Sequence, residues 1–197
     1  MKKALIAGLV LSLTIYFLSF NDTTSYKDGD VIFQTTAGET GKAIQLATHS
    51  KYNHCGVLFF ENNKWIVYEA VQPVKKTSLK EFNARGKGTV KRLSTKTLSE
   101  EEIAKLKKQF KKYEHKNYDE AFNWSDDQIY CSELVYKLYY NALHIELCKP
   151  RKLSDFDLSN TLVKEKLNEK YGNKIPMNEP MVSPEDIFCS CSLSDIK

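Results

Sequence analysis

The first change of pattern along the chain comes at residue 21. Residues 4–20 carry no charge and are almost wholly apolar, with Lys2 and Lys3 before them and Asn21-Asp22-Thr23-Thr24 after. Beyond a polar, turn-rich stretch at 22–28, apolar positions fall into short runs with the two familiar periods. Asp30–Thr35 predicts a strand, and Gly41–His49 has helical spacing at Ala43, Leu46 and Ala47. His54–Phe60 and Trp65–Val71 are β-branched and aromatic runs separated by Glu61-Asn62-Asn63-Lys64, which predicts a hairpin turning at Asn-Asn. Thr89–Leu93 predicts a further strand. Ser99 with Glu102 forms a capping box for a helix reaching Tyr113, and Cys131–Ala142 carries a helical apolar stripe. A short helix is expected near 161–170, and Ser183-Pro184 opens a final one, with serine as N-cap and proline at the first position. These elements predict one α+β domain over residues 29–197 with a small antiparallel sheet.

The N-terminal stretch changes where such a domain is expected to work. A short basic start followed by an apolar run reads as an export signal. Seventeen uncharged residues are long for a signal core and short for a spanning helix, so a cleaved signal and an uncleaved anchor over 1–21 both fit. A buried N-terminal helix is a third reading. Either of the first two places the domain outside the cytoplasm, in the periplasm or cell envelope, with residues 4–20 offering a route to membrane association.

Composition narrows the function classes. The 197 residues are 42% hydrophobic and 12% aromatic, which excludes disorder and repetitive fibrous classes. Removing residues 1–21 takes two lysines and no acid, so a formal charge of +4 falls to +2, too little to argue for nucleic acid. Five cysteines, at 55, 131, 148, 189 and 191, form no C-x-x-C pair, and with His49, His54, His115 and His144 they lack paired zinc-ligand spacing. No metal and no cofactor is expected. In an exported chain an odd count leaves at least one free thiol.

Cys131 stands at the first turn of its helix, where free amides and the helix dipole favour a thiolate and can receive a developing oxyanion. The same position suits a small buried hydrophobe. The hairpin weighs against that second reading. With a two-residue turn at Asn62-Asn63, Gly56 lies opposite Glu69, and His54 becomes Glu69's diagonal neighbour on the same face. A carboxylate so placed can orient an imidazole and stabilise its charged form. A cysteine on a helix packed against that face would complete the set. A solvated His and Glu would not account for the apolar runs around both. His49 and His144 suit helix ends and His115 a surface, while the Lys105–Lys112 run suits a solvated helix face. Tyr118, Asp119, Trp124 and Tyr130 form an aromatic-rich lead-in to Cys131, from which one or two side chains could line a cleft.

Taken in order, these segments resemble a known family. Gly29-Asp30-Val31-Ile32-Phe33-Gln34, Lys42 to Ser50, Tyr52-Asn53-His54-Cys55-Gly56, Tyr68 to Val74, and Tyr118-Asp119 through Tyr130-Cys131-Ser132-Glu133-Leu134-Val135 look like the YiiX/YaeF group. That group comprises permuted papain-like amidases of the NlpC/P60 superfamily. The resemblance implies a circularly permuted papain-like fold in which His54 is the general base, Glu69 its orienting partner and Cys131 the nucleophile. Cys55 departs from the pattern, since a hydroxyl residue is more usual beside the histidine. On a strand it points to the opposite face, where it is expected to be structural and buried.

The expected activity is an exported cysteine amidase or peptidase acting through a thioester. Its substrate would carry an amide: a cell-wall peptide, a lipid-linked amide or an amino-acid conjugate. Tyr118, Gln34 and Tyr130 are the candidate substrate-contacting residues, with Tyr118 and Gln34 also considered as the second oxyanion donor. A lipid acyl hydrolase or acyltransferase would use the same three catalytic residues, and a binding module of the same fold would not need them.

Overall fold

The computed structural model describes residues 25–196; the expected signal or anchor at 1–21 lies outside them, as do 22–24 of the linker. Among the described residues no helix is long and apolar enough to cross a membrane. The first half of the chain builds β1 (Val31–Gln34), α1 (Glu39–Thr48), β2 (His54–Glu61), β3 (Lys64–Glu69), β4 (Lys75–Ser78), α2 (Leu79–Ala84) and β5 (Thr89–Leu93). The second half supplies α3 (Glu100–Phe110), α4 (Cys131–Leu143), β6 (Arg151–Lys152), α5 (Thr161–Tyr171), β7 (Pro180–Met181), α6 (Pro184–Phe188) and β8 (Leu193–Asp195). Six strands form one antiparallel sheet in the order β4-β3-β2-β1-β5-β8, while β6 and β7 pair separately.

The β2–β3 hairpin sets the register on which the site depends. Asn62 and Asn63 both have positive φ, 50° and 60°, as a type I′ turn requires, and asparagine tolerates that region better than most residues. Phe60 then pairs with Trp65 and Val57 with Tyr68, the alignment expected from a two-residue turn. Continued toward the strand ends, it sets Gly56 across from Glu69. A methyl group on Gly56 would lie 2.6 Å from Val67 Cγ1 and 2.9 Å from the Tyr68 carbonyl oxygen, so the close approach excludes a side chain there.

Alternation gives the sheet two separately covered faces. One face turns Val31, Phe33, Cys55, Val57, Phe59 and Tyr68 into the main core, against α3 through Leu106 and Phe110 and α4 through Leu134, Val135 and Leu138. The other turns Ile32, Leu58, Val67 and Val90 toward Leu79 and Phe82 of α2. The strands and helices expected from the sequence form within a few residues of their expected bounds, with the expected capping box at Ser99–Glu102 and Ser183 as N-cap before Pro184; the structure adds a box between Ser183 and Asp186. The sequence reading does not include β4, α2 and β8. Three to six residues give too little periodicity to separate strand from loop, although the Ser78–Glu81 capping box of α2 is a legible signal.

One expectation is corrected. The cysteine helix does not pack on the face that carries His54 and Glu69. α4 lies on the opposite face with Cys55, Val57 and Phe59, and the short α2 covers the His–Glu face. An all-apolar strand face needs the larger helix, and the polar pair leaves room for only a small cover. Gly56→Ala is expected to destabilise the domain by about 1–3 kcal/mol through overpacking against β3. Denaturant unfolding of the variant beside wild type measures it.

Candidate active site

His54 is the first residue of β2, and its position at the strand end lets it be reached from both sides of the sheet. Its Nε2 lies 2.5 Å from Glu69 Oε2, as the diagonal placement across the hairpin requires. Phe82 of α2 stacks on the imidazole, with ring centroids 5.7 Å apart and planes inclined by 29°. The imidazole is 6% exposed and Glu69 is fully buried.

A buried carboxylate needs more than one partner. Glu69 receives a second cation, Arg85 at the end of α2, whose Nη2 is 2.6 Å from Oε1 and 2.7 Å from Oε2. The loop carrying Arg85 is held from below by Gln34, whose amide donates to the carbonyl oxygens of Phe82, at 2.5 Å, and Gly86. A side chain at Gly86 would collide with the Thr35 carbonyl oxygen, so glycine permits the loop to lie against β1.

Cys131 arrives from the other face. It opens α4, is 2% exposed, and its Sγ is 4.0 Å from the carbonyl oxygen of Asn53, the residue just before β2. Asn53 is itself fixed: its side chain accepts from the Thr36 N–H at 2.8 Å and donates to the Thr36 carbonyl at 2.9 Å. α4 thus delivers the thiol around the end of the strand to the imidazole, rather than across the face.

Electrostatics follow from this arrangement. Burial alone would lower the basicity of His54, but hydrogen bonding to Cys131 and Glu69 and their negative charge overcome it and hold the imidazole up to about 9. The Cys131 thiol is held well below its ordinary value by a hydrogen bond from Cys55, against burial, and by His54. Cys55 is correspondingly pushed up by burial and by the neighbouring Cys131. Burial would raise the Glu69 carboxyl; His54 and Arg85 lower it instead.

The remaining sequence candidates divide. Tyr118 reaches Cys131: burial and the Cys131 charge and hydrogen bond push its phenol well above the ordinary range. Its backbone N–H donates to Gln72 Oε1 at 2.7 Å. Tyr130 is the N-cap of α4; its hydroxyl accepts from the Val182 N–H at 3.1 Å, and its ring borders a cleft beside Cys131. Gln34 does not face that cleft, because its amide hydrogens are committed to the Phe82 and Gly86 carbonyls. Cys55 is fully buried as expected, but stands against the nucleophile candidate rather than in inert core. Arg85, Asn53 and Phe82 were not legible as site residues. Arg85 follows a six-residue helix, and no local pattern ties it to Glu69.

The cleft lies between α1, α5 and the start of α4. Ala43, Ala47, Leu158, Val163 and Leu167 make it apolar, Cys131 lies in its wall, and Lys166 and Lys170 are its cationic members.

A family model described as permuted papain-like amidase enzyme, YaeF/YiiX, C92 family, matches residues 25–197. The uncharacterized protein YiiX of Escherichia coli strain K12 is 44% identical over 191 residues, covering 95% of this chain and 93% of that protein. A crystal structure described as that of the metalloprotein YiiX from Escherichia coli O157:H7 matches with a TM-score of 0.84 and 46% identity, covering 88% of this chain and 97% of that one. Among the described residues here, no group of three or more histidine, cysteine, aspartate and glutamate side chains stands together in a way that could hold a metal ion. The matched residues take in β1, the β2–β3 hairpin and α4 alike, in the order histidine, acid, cysteine, and the chain belongs to the permuted papain-like amidase family of YaeF and YiiX.

Proposed function

We propose that this chain is an exported cysteine amidase in which Cys131 is the nucleophile, His54 the general base and acid, and Glu69 the residue that orients the imidazole. The observation that carries this reading is the line from the exposed Arg85 through the buried Glu69 and His54 to the buried Cys131. It keeps a thiolate and an imidazolium side by side where solvent is scarce.

The reaction follows from those roles. The Cys131 thiolate attacks the amide carbonyl, and charge develops on the carbonyl oxygen. The backbone N–H of Cys131 is free at the start of α4 and can receive that charge. The Tyr118 hydroxyl, beside the sulfur, is the second donor in this reading. His54 gives its proton to the leaving amine as the tetrahedral intermediate collapses to a thioester. Deprotonated His54 then takes a proton from water, and hydroxide attack on the thioester frees the acid and returns the thiolate–imidazolium pair. Glu69 fixes the ring so that one nitrogen always faces the sulfur, and Arg85 keeps Glu69 in place.

The cleft favours a second reading of the substrate. An apolar cleft with Cys131 in its wall suits an acyl chain better than a charged peptide. The scissile bond would then join a long acyl group to an amine or an alcohol, and the chemistry at Cys131 would be the same. The substrate is an acyl amide in the first reading and a lipid acyl ester or amide in the second.

Iodoacetamide should alkylate Cys131, located by mass spectrometry, far faster than Cys55, Cys148, Cys189 or Cys191 at neutral pH. The thiolate–imidazolium pair persists up to about pH 9 and is lost as pH rises through that value, because His54 is raised and its protonated form is the stabilised one. In His54→Ala the rate should fall at neutral pH and rise only near the ordinary thiol value of about 8.5; an unchanged profile would remove His54 from the mechanism. Cys131→Ser should fold normally and lose turnover. For p-nitrophenyl esters and p-nitroanilides of increasing chain length, kcat/KM should rise about fourfold per methylene while the chain still fits the cleft. Ala47→Phe, which fills the cleft, should abolish that gain and leave short-chain activity intact. A flat series would instead favour the peptide amide.

A further inference from the structure

On the side of the sheet covered by α2, the tip of the β2–β3 hairpin presents a surface that the catalytic reading does not use. Phe60 is 48% exposed, the highest value among the large hydrophobic side chains described. Its ring lies 5.2 Å from that of Trp65 with the planes tilted by 59°, and Trp65 in turn meets Tyr26 edge to face at 5.7 Å. Beside these rings an open surface groove takes in Lys64, Lys80 and Lys87. All three lysines are exposed, and none makes an ion pair with a carboxylate among the described residues. The nearest acid on α2, Glu81, is committed to the Ser78 cap.

Aromatic rings over unpaired lysines are the composition of a surface that rests on an anionic bilayer. Tryptophan and tyrosine settle at the headgroup level, and lysines gain from the negative surface potential. The course of the chain points to the same occupant. Tyr26 sits on Trp65, and only residues 21–25 separate it from the apolar run at 4–20. Five residues span at most about 18 Å. If residues 4–20 lie in a bilayer, this face cannot stand far from it, whereas the lysines of α3 pack on the opposite side of the sheet. Two of those are already engaged, Lys105 with Glu101 and Lys107 with Glu61.

We infer that the Phe60–Trp65–Tyr26 cluster with Lys64, Lys80 and Lys87 is a membrane-docking face that seats the domain on anionic lipid headgroups where the chain leaves the bilayer. It follows from the hairpin surface and the chain exit alone, and stands or falls separately from the catalytic assignment.

The test uses the full 197-residue chain as Trp124→Phe, so that Trp65 is the sole tryptophan, mixed with vesicles whose lipids carry brominated acyl chains. Trp65 fluorescence should be quenched in phosphatidylglycerol-containing vesicles and not in pure phosphatidylcholine vesicles. The quenching should be relieved at about 0.5 M salt, where screening is short-ranged. Lys64→Ala/Lys80→Ala/Lys87→Ala should lose the quenching while still floating with vesicles through residues 4–20. If Trp124→Phe does not fold, the difference between wild type and Trp65→Phe gives the same reading. Trp65 left unquenched in anionic vesicles that carry the chain would overturn the docking face, and so would equal quenching in both lipids. Quenching that survives the triple variant but is lost on replacing Lys108, Lys111 and Lys112 would move the contact to α3.

Discussion

A carboxylate with no exposed surface has to be matched by charge, and Glu69 is matched on two sides. His54 meets one oxygen at 2.5 Å, and Arg85 lies within 2.7 Å of both. Leaving such a group unpaired would cost several kcal/mol, and that penalty constrains everything around it. The hairpin must turn in two residues so that His54 falls diagonally beside Glu69. Position 56 must lack a side chain. The loop after α2 must bring Arg85 back over the sheet, which requires Gly86 against β1 and the Gln34 amide beneath it. Among the described residues α2, six residues long, is the helix on this face, so the polar line is roofed without being crowded.

The other face has the opposite task. Its apolar side chains fill the main core with α3 and α4, and stability resides there. Because α4 is anchored by that core, its first residue is placed with core-like precision at the end of β2. Two independent packing problems therefore meet at one point. His54 is oriented from the α2 side and Cys131 is delivered from the α4 side, and they meet at the end of β2 between them. The backbone carbonyl of Asn53, a residue whose side-chain amide is bonded to the Thr36 backbone, lies against the sulfur. The thiol–imidazole pair is rigid because neither partner depends on the other for its position.

Cys55 belongs to this junction in a way that its strand position partly concealed. It faces α4 rather than α2, as alternation demands, yet the helix on that side is the one that carries Cys131. The two thiols come together because α4 crosses behind the strand end. The apolar cleft arises from the same geometry: α1 and α5 pack beside the start of α4 and leave an apolar wall running up to the sulfur. Reactive and apolar surfaces are thus adjacent through the fold, although their residues span positions 40 to 184 of the chain.

How much of this was legible depends on how local each signal is. Asn62-Asn63 and the flanking runs carry the turn, the register and hence the His54–Glu69 pair, because a two-residue turn fixes pairing over the whole hairpin. Cys131 at a helix start was equally local, and the Ser99–Glu102 capping box and the Ser183-Pro184 start marked the helices of residues 100–110 and 184–188. The resemblance to permuted papain-like amidases tied these pieces together in chain order. What the sequence could not supply was which helix covers which face, since an amphipathic stripe states that a side is buried and not against what. The placement of α4 behind the sheet, the return of Arg85 to Glu69, the commitment of Gln34 to a loop instead of the cleft, and the contact between Cys55 and Cys131 all join residues far apart in sequence. Local pattern determined the strand pair and singled out His54 and Cys131. The tertiary structure alone decided from which side they meet, because that choice is made by the competing burial of two sheet faces.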